Sequence, residues 1–494
     1  MWLGVIRLAL FVSLLSGFAL AQNNKTAEEV LQQAIAAIGG LEKLQSIKTL
    51  YAEAVNTRQD IGQSYLPAFN EDFARVPRET FITETWVDFT TGRRYWQRKL
   101  DNAKYINLVT PTWGANLTGD RHNHLGAAVV DLYQHRNRHM TFPGPLFTAL
   151  ELKSQLQRLP DQKFQDRLHS VIAFNDLNRT WRLFVDQSSG LLAKIETDQI
   201  APVRGKVALE YRYSKWKEIN GVKLPLRTEG LNTQNGTSNW AIEDQWVELN
   251  KPEGDWFNSH ADMMKEGVER VARDREAMKA PPAPLKYDKL GEGIYFIRGT
   301  IGSLAVAMGE YTFIVEAPTG EARSKQIIAL AKELLPNKQL VAVGVTHWHY
   351  DTVAGLRAYV AEGVRIAAST AAKDFLEKFL TANTHDDALS KSKNKPQFLW
   401  IEGEHSLSRG GRTIQAVDIP NGHAAGMLGL FIAGDGILFI GDIFPDNDPA
   451  HAQAVLDAIQ KHKLEVKQVV GSRGGPATLQ QLQQQAAATV RPIN

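Results

Sequence analysis

The chain has 494 residues, 43% of them apolar and 22% charged, which is the composition of a folded globular protein long enough for two or three domains. A formal net charge of +2, with no lysine- or arginine-rich block, excludes a charge-driven partner such as nucleic acid. Cysteine is absent, so disulfides are excluded and any metal must be held by histidine and carboxylate.

The first 21 residues, MWLGVIRLALFVSLLSGFALA, read as an export signal. Arg7 and the amino terminus give a positive start, residues 8–15 an apolar core, and Ala19-Leu20-Ala21 a small-x-small cleavage site before Gln22. The alternative is an uncleaved anchor, because the apolar stretch nearly spans a bilayer. Arg7 inside the stretch and the Ala-x-Ala end favour cleavage. No cysteine follows the site, which excludes a lipid anchor. The expectation is a bacterial periplasmic or secreted protein with no membrane span after processing.

Residues 27–41 carry a helical pattern that stops at Gly39-Gly40. Period-two segments rich in Thr, Val, Ile and aromatics follow: TLYAEAVNTRQ, RETFITETWVDF, RRYWQRKL and AKYINLVTP. A second run extends from RTWRLFVDQSSGLLAKIETDQ through KVALEYRYSKWKEINGVKLPLRTEGL to NWAIEDQWVEL, with hairpin chemistry in DQSSGLL and EINGVKLP. Consecutive hairpins predict a large, curved antiparallel sheet with one face to cover. AIAAIGGLEKLQSIKTLYAEA, together with VDQSSGLLAKIE and YSKWKEINGVKLPLR, resembles the lipoprotein-carrier (LolA/LolB-like) half-barrel domains of bacterial envelopes. That resemblance covers residues 22–254 and implies a hydrophobic concave face and an apolar or acyl ligand. The alternative is a sheet that merely packs on its neighbour. Two histidine pairs, His122/His124 and His135/His139, have spacings that metal sites use. Arg121, Arg136, Arg138 and Arg158 crowd them and no carboxylate separates the second pair, so solvated polar surface is expected there.

Residues 255–284 read as a helix, HADMMKEGVERVARDREAMK, closed by the Pro-rich linker APPAP. From residue 285 strands and helices alternate. GIYFIRG, LAVAMGE and YTFIVEA are strands, SKQIIALAKELL is a helix, and LVAVGVT is a buried strand running into THWHYD. GVRIAAS, TIQAVDIP, MLGLFIA and GILFIGD are further strands, with AAKDFLEKFL a helix. Loops at strand ends are where ligands collect in such a layout, and those loops hold THWHYD, NGH and GD.

His-x-His-x-Asp, then Gly-His, then Gly-Asp, each at a strand end and in this order, resembles the metallo-β-lactamase-fold hydrolases over residues 285–494. The fold class implied is α+β and multidomain: a curved antiparallel half-barrel followed by an αβ/βα sandwich. The resemblance assigns His347, His349 and His423 to a first metal, Asp442 to a bridging position and Asp351 to a second metal. The family's next histidine falls on Thr352, and its last on Arg473, with Ser472 the off-by-one alternative. Three imidazoles and a carboxylate suit tetrahedral zinc, whereas two carboxylates beside a guanidinium do not suit a second ion. The expected enzyme is an exported hydrolase that uses one zinc-activated water on an ester, thioester or phosphoester of a small-molecule substrate. Asp351 would orient or deprotonate that water and Arg473 would hold negative charge. Two alternatives stand beside it: a non-catalytic envelope protein that binds an apolar ligand, and a mononuclear-iron thiol or persulfide dioxygenase. His385, His405, His451 and His462 lie in polar sequence and are expected in solvent, with His385 alone placed to approach the site from a loop.

Overall fold

The computed structural model describes residues 25–99, 104–119, 121–281, 283–446 and 448–488; the expected export signal, residues 1–21, lies outside them. The helix Ala27–Ala37 opens on a capping box in which the Thr26 side chain and Glu29 satisfy each other's backbone donors. It buries Val30, Leu31, Ala34 and Ile35, one stripe of a helix with a 3.6-residue period. Gly39 at φ +122° and Gly40 at φ +95° end it, in backbone that a side chain would strain.

A 13-stranded sheet follows, antiparallel throughout. Its centre is the pairing of its first strand in the chain, Thr49–Asp60, with its last, Ser238–Leu249. From there one wing runs by hairpins outward through Glu79–Asp88 to Arg121–His124, and the other through Val222–Asn232 to Gln157–Phe164. Asn220 and Gly221, both at positive φ, make the tight turn expected in EINGVK. On one face Ile172, Phe174, Trp181, Leu183, Val185, Leu209, Tyr211 and Tyr213 form a core with the first helix, at the period of two that a pleated strand imposes. The helix Ala261–Lys279 packs back on this domain, with Val271 against Val109, Leu125 and Val130.

Two more sheets make up the rest. A seven-stranded sheet runs from Tyr287–Gly291 to Phe398–Ile401, and a six-stranded sheet from Glu404–Arg409 to Gly475–Thr478. Alternate residues of each strand serve different cores. Leu304, Val306, Phe313, Val315 and Ala342 share a core with Ile414, Leu428, Leu430, Ile432 and Phe439 of the six-stranded sheet. Their neighbours Ala305, Ala307, Ile314 and Val343 face Ile327, Ile328 and Ala331 of the helix Glu321–Leu334. The other face of the six-stranded sheet carries Val455 and Ala458 of the helix Pro449–Lys461 and Leu482 of Leu479–Ala487. The strands read in the sequence between residues 293 and 442 are present. Tyr287–Gly291, Phe398–Ile401, Glu404–Arg409, Gln468–Gly471 and Gly475–Thr478 are additional strands, short enough that their patterns are too brief to read.

The two halves touch at the same end. Ile61, Ala68, Phe69 and Val76 from the segment after strand Thr49–Asp60, and Val203 from a later turn, are buried in the core that holds Trp348 and Phe375. Among the described residues no helix is long and apolar enough to cross a membrane.

His135 and His139 correct the expectation of a solvated face. His139 is wholly buried, stacked on Trp181 and 2.9 Å from Asp176. His135 lies against the same two rings, and burial pushes its pKa down to about 3. They belong to a polar-aromatic core rather than to a ligand pair. His122 stays exposed on the edge strand Arg121–His124, while His124 accepts from the Trp113 indole at 3.3 Å.

Candidate metal centre

Every member of the candidate site is delivered by the end of a strand. Gln339–Gly344 runs into the turn that carries His347 and His349. The loop before Leu428–Ala433 carries His423, Ile437–Phe439 is followed at once by Asp442, and Gln468–Gly471 by Arg473. Glycine allows the loops to close. A Cβ on Gly441, at φ +63°, would stand 2.6 Å from Thr346 Oγ1, and one on Gly471 would stand 1.6 Å from the Phe444 carbonyl oxygen.

His347, His349, His423 and Asp442 each point one ligand atom at a common centre, and the four atoms lie within 4.8 Å of one another. His423 Nε2 is 3.4 Å from His347 Nε2 and 2.9 Å from Asp442 Oδ1, and His347 Nε2 is 3.2 Å from the same oxygen. Hydrogen bonds on the far sides of the rings fix which nitrogen faces inward. His347 Nδ1 is 3.0 Å from Thr346 Oγ1, which in turn donates to Glu316 Oε1; His349 Nε2 donates to the Ser64 carbonyl at 3.1 Å. That leaves His349 Nδ1 bare, buried and without a partner, and Asp442 Oδ1 is buried without an aligned hydrogen bond. Burial, ahead of any charge, pushes His347 down to about 4 and His349 well below its usual value. Burial would raise the Asp442 carboxyl, but His347, His423 and His349 more than offset it and hold it well below the carboxylate range. Burial thus disfavours the charged form of His347 and His349, and with their far-side nitrogens facing Thr346 and Ser64 their inward nitrogens face the Asp442 carboxylate. A cation of zinc's size and ligand preference fits this donor set.

Asp351, expected to ligate a second ion, is not part of the convergent set. Gln63 donates to its Oδ1 at 2.9 Å and Arg473 Nη2 to its Oδ2 at 2.6 Å. Arg473 also reaches Asp442 Oδ2, at 3.2 Å from Nε and 3.1 Å from Nη2. The guanidinium thus lies between the two carboxylates that a second ion would use. Ser472 is buried and tied through its backbone to Gly441 and Gly302, so it is the side chain of Arg473 and not that of Ser472 that lies between the two carboxylates. Thr352 is fully buried, its hydroxyl donating to the His349 carbonyl at 2.8 Å and the His347 carbonyl at 3.2 Å. It closes the ligand turn and offers nothing outward.

Three features were not legible in the sequence. Glu316, at the end of strand Tyr311–Val315 with φ +70°, lies wholly buried behind the cluster; burial first, and then the nearby Asp442 charge, push its pKa well above the usual value against the Thr346 hydrogen bond, and so favour its neutral form. A carboxylate closing an apolar strand in YTFIVEA was its only signal. His451, expected in solvent, packs edge-on to His423 with ring centroids 5.8 Å apart and pairs with Asp446 at 2.6 Å. Gln63 and Ser64 come from the other domain. His385 does not approach the cluster; its side chain is nearly buried, 3.1 Å from the Val203 carbonyl. His462 is likewise enclosed, between Glu404 and Asp418 at 2.9 Å each.

No family model matches the sequence, and no curated protein matches it. Solved structures similar to part of the chain are metallo-β-lactamase-fold proteins. They include a metallo-β-lactamase from Pontibacter korlensis, 16% identical over 41% of this chain and 97% of that one, with a TM-score of 0.34. A metallo-β-lactamase from Hirschia baltica is 22% identical over 41% and 97%, TM-score 0.34. A stereoselective inverting sec-alkylsulfatase from Pseudomonas sp. is 14% identical over 41% of each chain, TM-score 0.32.

Proposed function

We propose that the chain is an exported metal-dependent hydrolase working with a single zinc ion on an ester, thioester or phosphoester substrate. The observation that carries this reading is the convergence of buried His347, His349 and Asp442 with partly buried His423, in which His349 Nδ1 has no partner and Asp442 Oδ1 no aligned hydrogen bond. Burying such groups unpaired costs roughly 1–3 kcal/mol each, which a bound cation removes. When bound there, zinc would lower the pKa of a coordinated water and polarise the electrophilic centre of the substrate. The protein's own residues do the rest. Burial disfavours the charged form of His347 and His349 and so keeps their inward nitrogens available as lone-pair donors. Asp351, clamped by Gln63 and Arg473, is fixed to orient the attacking water and take its proton. Arg473, with 41% of its side chain exposed, has donors left for an anionic group of the substrate or for charge that develops during attack.

The test is elemental analysis of the mature protein with an ester, thioester and phosphoester panel. About one zinc per chain and turnover on one class are expected. Iron with oxygen uptake on a thiol substrate would move the assignment to a dioxygenase.

A second reading, binding of an apolar or acyl ligand by the N-terminal domain, is favoured by a cavity of about 600 Å³ whose walls include Leu132, Leu209, Tyr211 and Trp240, with His135 and Arg179 among the polar groups. A metal-free, catalytically inert protein that retains an apolar ligand on purification would favour it over the hydrolase.

A further inference from the structure

The turn after strand Thr49–Asp60 belongs to the N-terminal sheet, yet it is tied to two of the loops that carry the cluster, those of His347/His349 and of His423. Its shape is fixed from its own side: Ile61 N donates to the Thr237 carbonyl at 2.8 Å and Gly62 N to Asp60 Oδ1 at 3.1 Å. From that platform two consecutive carbonyls face the metal cluster. Ser64 takes His349 Nε2–H at 3.1 Å. Tyr65 takes the indole of Trp348, between the first two ligands, at 3.4 Å, and the backbone N–H of Ala425, two residues beyond His423, at 2.9 Å. Gln63 holds Asp351. The approach is close enough that a Cβ on Gly62 would meet Tyr350 Cγ at 3.2 Å.

We propose that this N-terminal turn is a working part of the metal site, with the Ser64 carbonyl as the positioning group that makes His349 a ligand. The inference rests on the reading that a metal binds at the cluster. A neutral imidazole carries one ring proton, and which nitrogen bears it decides which can coordinate. Donation to Ser64 places that proton on Nε2 and leaves Nδ1, the buried and unpartnered atom, free to face the centre. His347 takes its orientation from Thr346 within its own domain, whereas the orienting partner of His349 is supplied by the other. The two domains thus share one site, and separating the turn from the cluster lowers metal affinity without touching a ligand. Losing such an outer partner typically costs about 10- to 100-fold in metal affinity.

Two measurements on the full-length protein test this. The first is nitrogen-15 NMR of the imidazoles in metal-free protein, with the His349 signals assigned by their loss in His349→Gln. The Nε2–H tautomer is expected, and Nδ1–H would overturn the proposal whether or not any variant folds. The second is zinc affinity, by competition with a chromogenic chelator, of the parent and of a variant with two glycines inserted between Ser64 and Tyr65. About 10-fold weaker binding or more is expected, with the thermal midpoint of the metal-free protein kept. Equal affinities in a folded variant would refute the role of the turn and leave the hydrolase reading standing. A parent that takes up no zinc would refute the hydrolase reading instead, while the tautomer measurement still decides the position of the proton.

Discussion

Replacing Arg473 by histidine should convert a one-metal protein into a two-metal one. In the parent the guanidinium is 2.6 Å from Asp351 Oδ2 and 3.1 Å from Asp442 Oδ2, between the carboxylates that a second ion would need. A divalent ion about 4 Å from that fixed positive charge would be repelled by roughly 8 kcal/mol at an effective dielectric near 20. With 41% of the Arg473 side chain exposed, screening reduces this. Halving it to about 4 kcal/mol still leaves roughly three powers of ten in affinity. Arg473→His removes the fixed charge and adds an imidazole to two carboxylates, three ligands of the kinds that zinc accepts. Thr352 is left alone, because its hydroxyl closes the ligand turn and a larger side chain has no room in a fully buried position. After dialysis against buffered zinc, mass spectrometry of the metal against amino-acid analysis should give one equivalent for the parent and two for the variant. Two equivalents in the parent would refute the argument at its root. One equivalent in a folded variant would show that charge is not what excludes the second ion.

His347→Ala and His423→Ala should each abolish zinc binding while the protein still folds, checked by metal content and circular dichroism; each removes one of four ligands, and the cores do not depend on the ion. The metal-free protein should lose stability as pH falls from about 6.5 to about 4. In that window the unfolded His347 binds a proton that the folded one, held down to about 4, does not, so stability rises with pH there and levels off above it. Urea midpoints flat across that window would contradict the assignment of a buried neutral imidazole. Glu316→Gln should keep folding and zinc content, since the neutral amide keeps the shape and the Thr346 contact of a side chain whose charged form burial disfavours, whereas Glu316→Ala should destabilise by about 2–4 kcal/mol through a cavity and an unpaired Thr346. Mature protein should begin at Gln22 and be found outside the cytoplasm, as intact mass of envelope fractions would show.

The sequence by itself determined many of the strands of both halves, because period-two burial is a local property: Phe313 and Val315 face one core and Ile314 another wherever the strand is placed. It did not disclose Trp113–Thr118, Arg121–His124, Gln157–Phe164 or Arg167–Asp176. It did single out the four residues that converge, His347, His349, His423 and Asp442. His347 and His349 are two apart on one turn, and His423 and Asp442 end strands of their own, so their chemistry and order could be read without coordinates. Burial of single histidines was not local. His139 and His462 sit in polar sequence, yet Trp181 and Asp176 cover one, and Glu404 and Asp418 enclose the other, from tens of residues away. Nor could the sequence place Gln63 and Ser64, 288 and 285 residues from their partners Asp351 and His349. A backbone carbonyl leaves no mark on residue identity, so only the tertiary contact of two domains decides that Ser64 faces His349. The same holds for Arg473, whose residue type was plain in the sequence. Its position between Asp351 and Asp442 follows from four loops meeting at one end of two packed sheets.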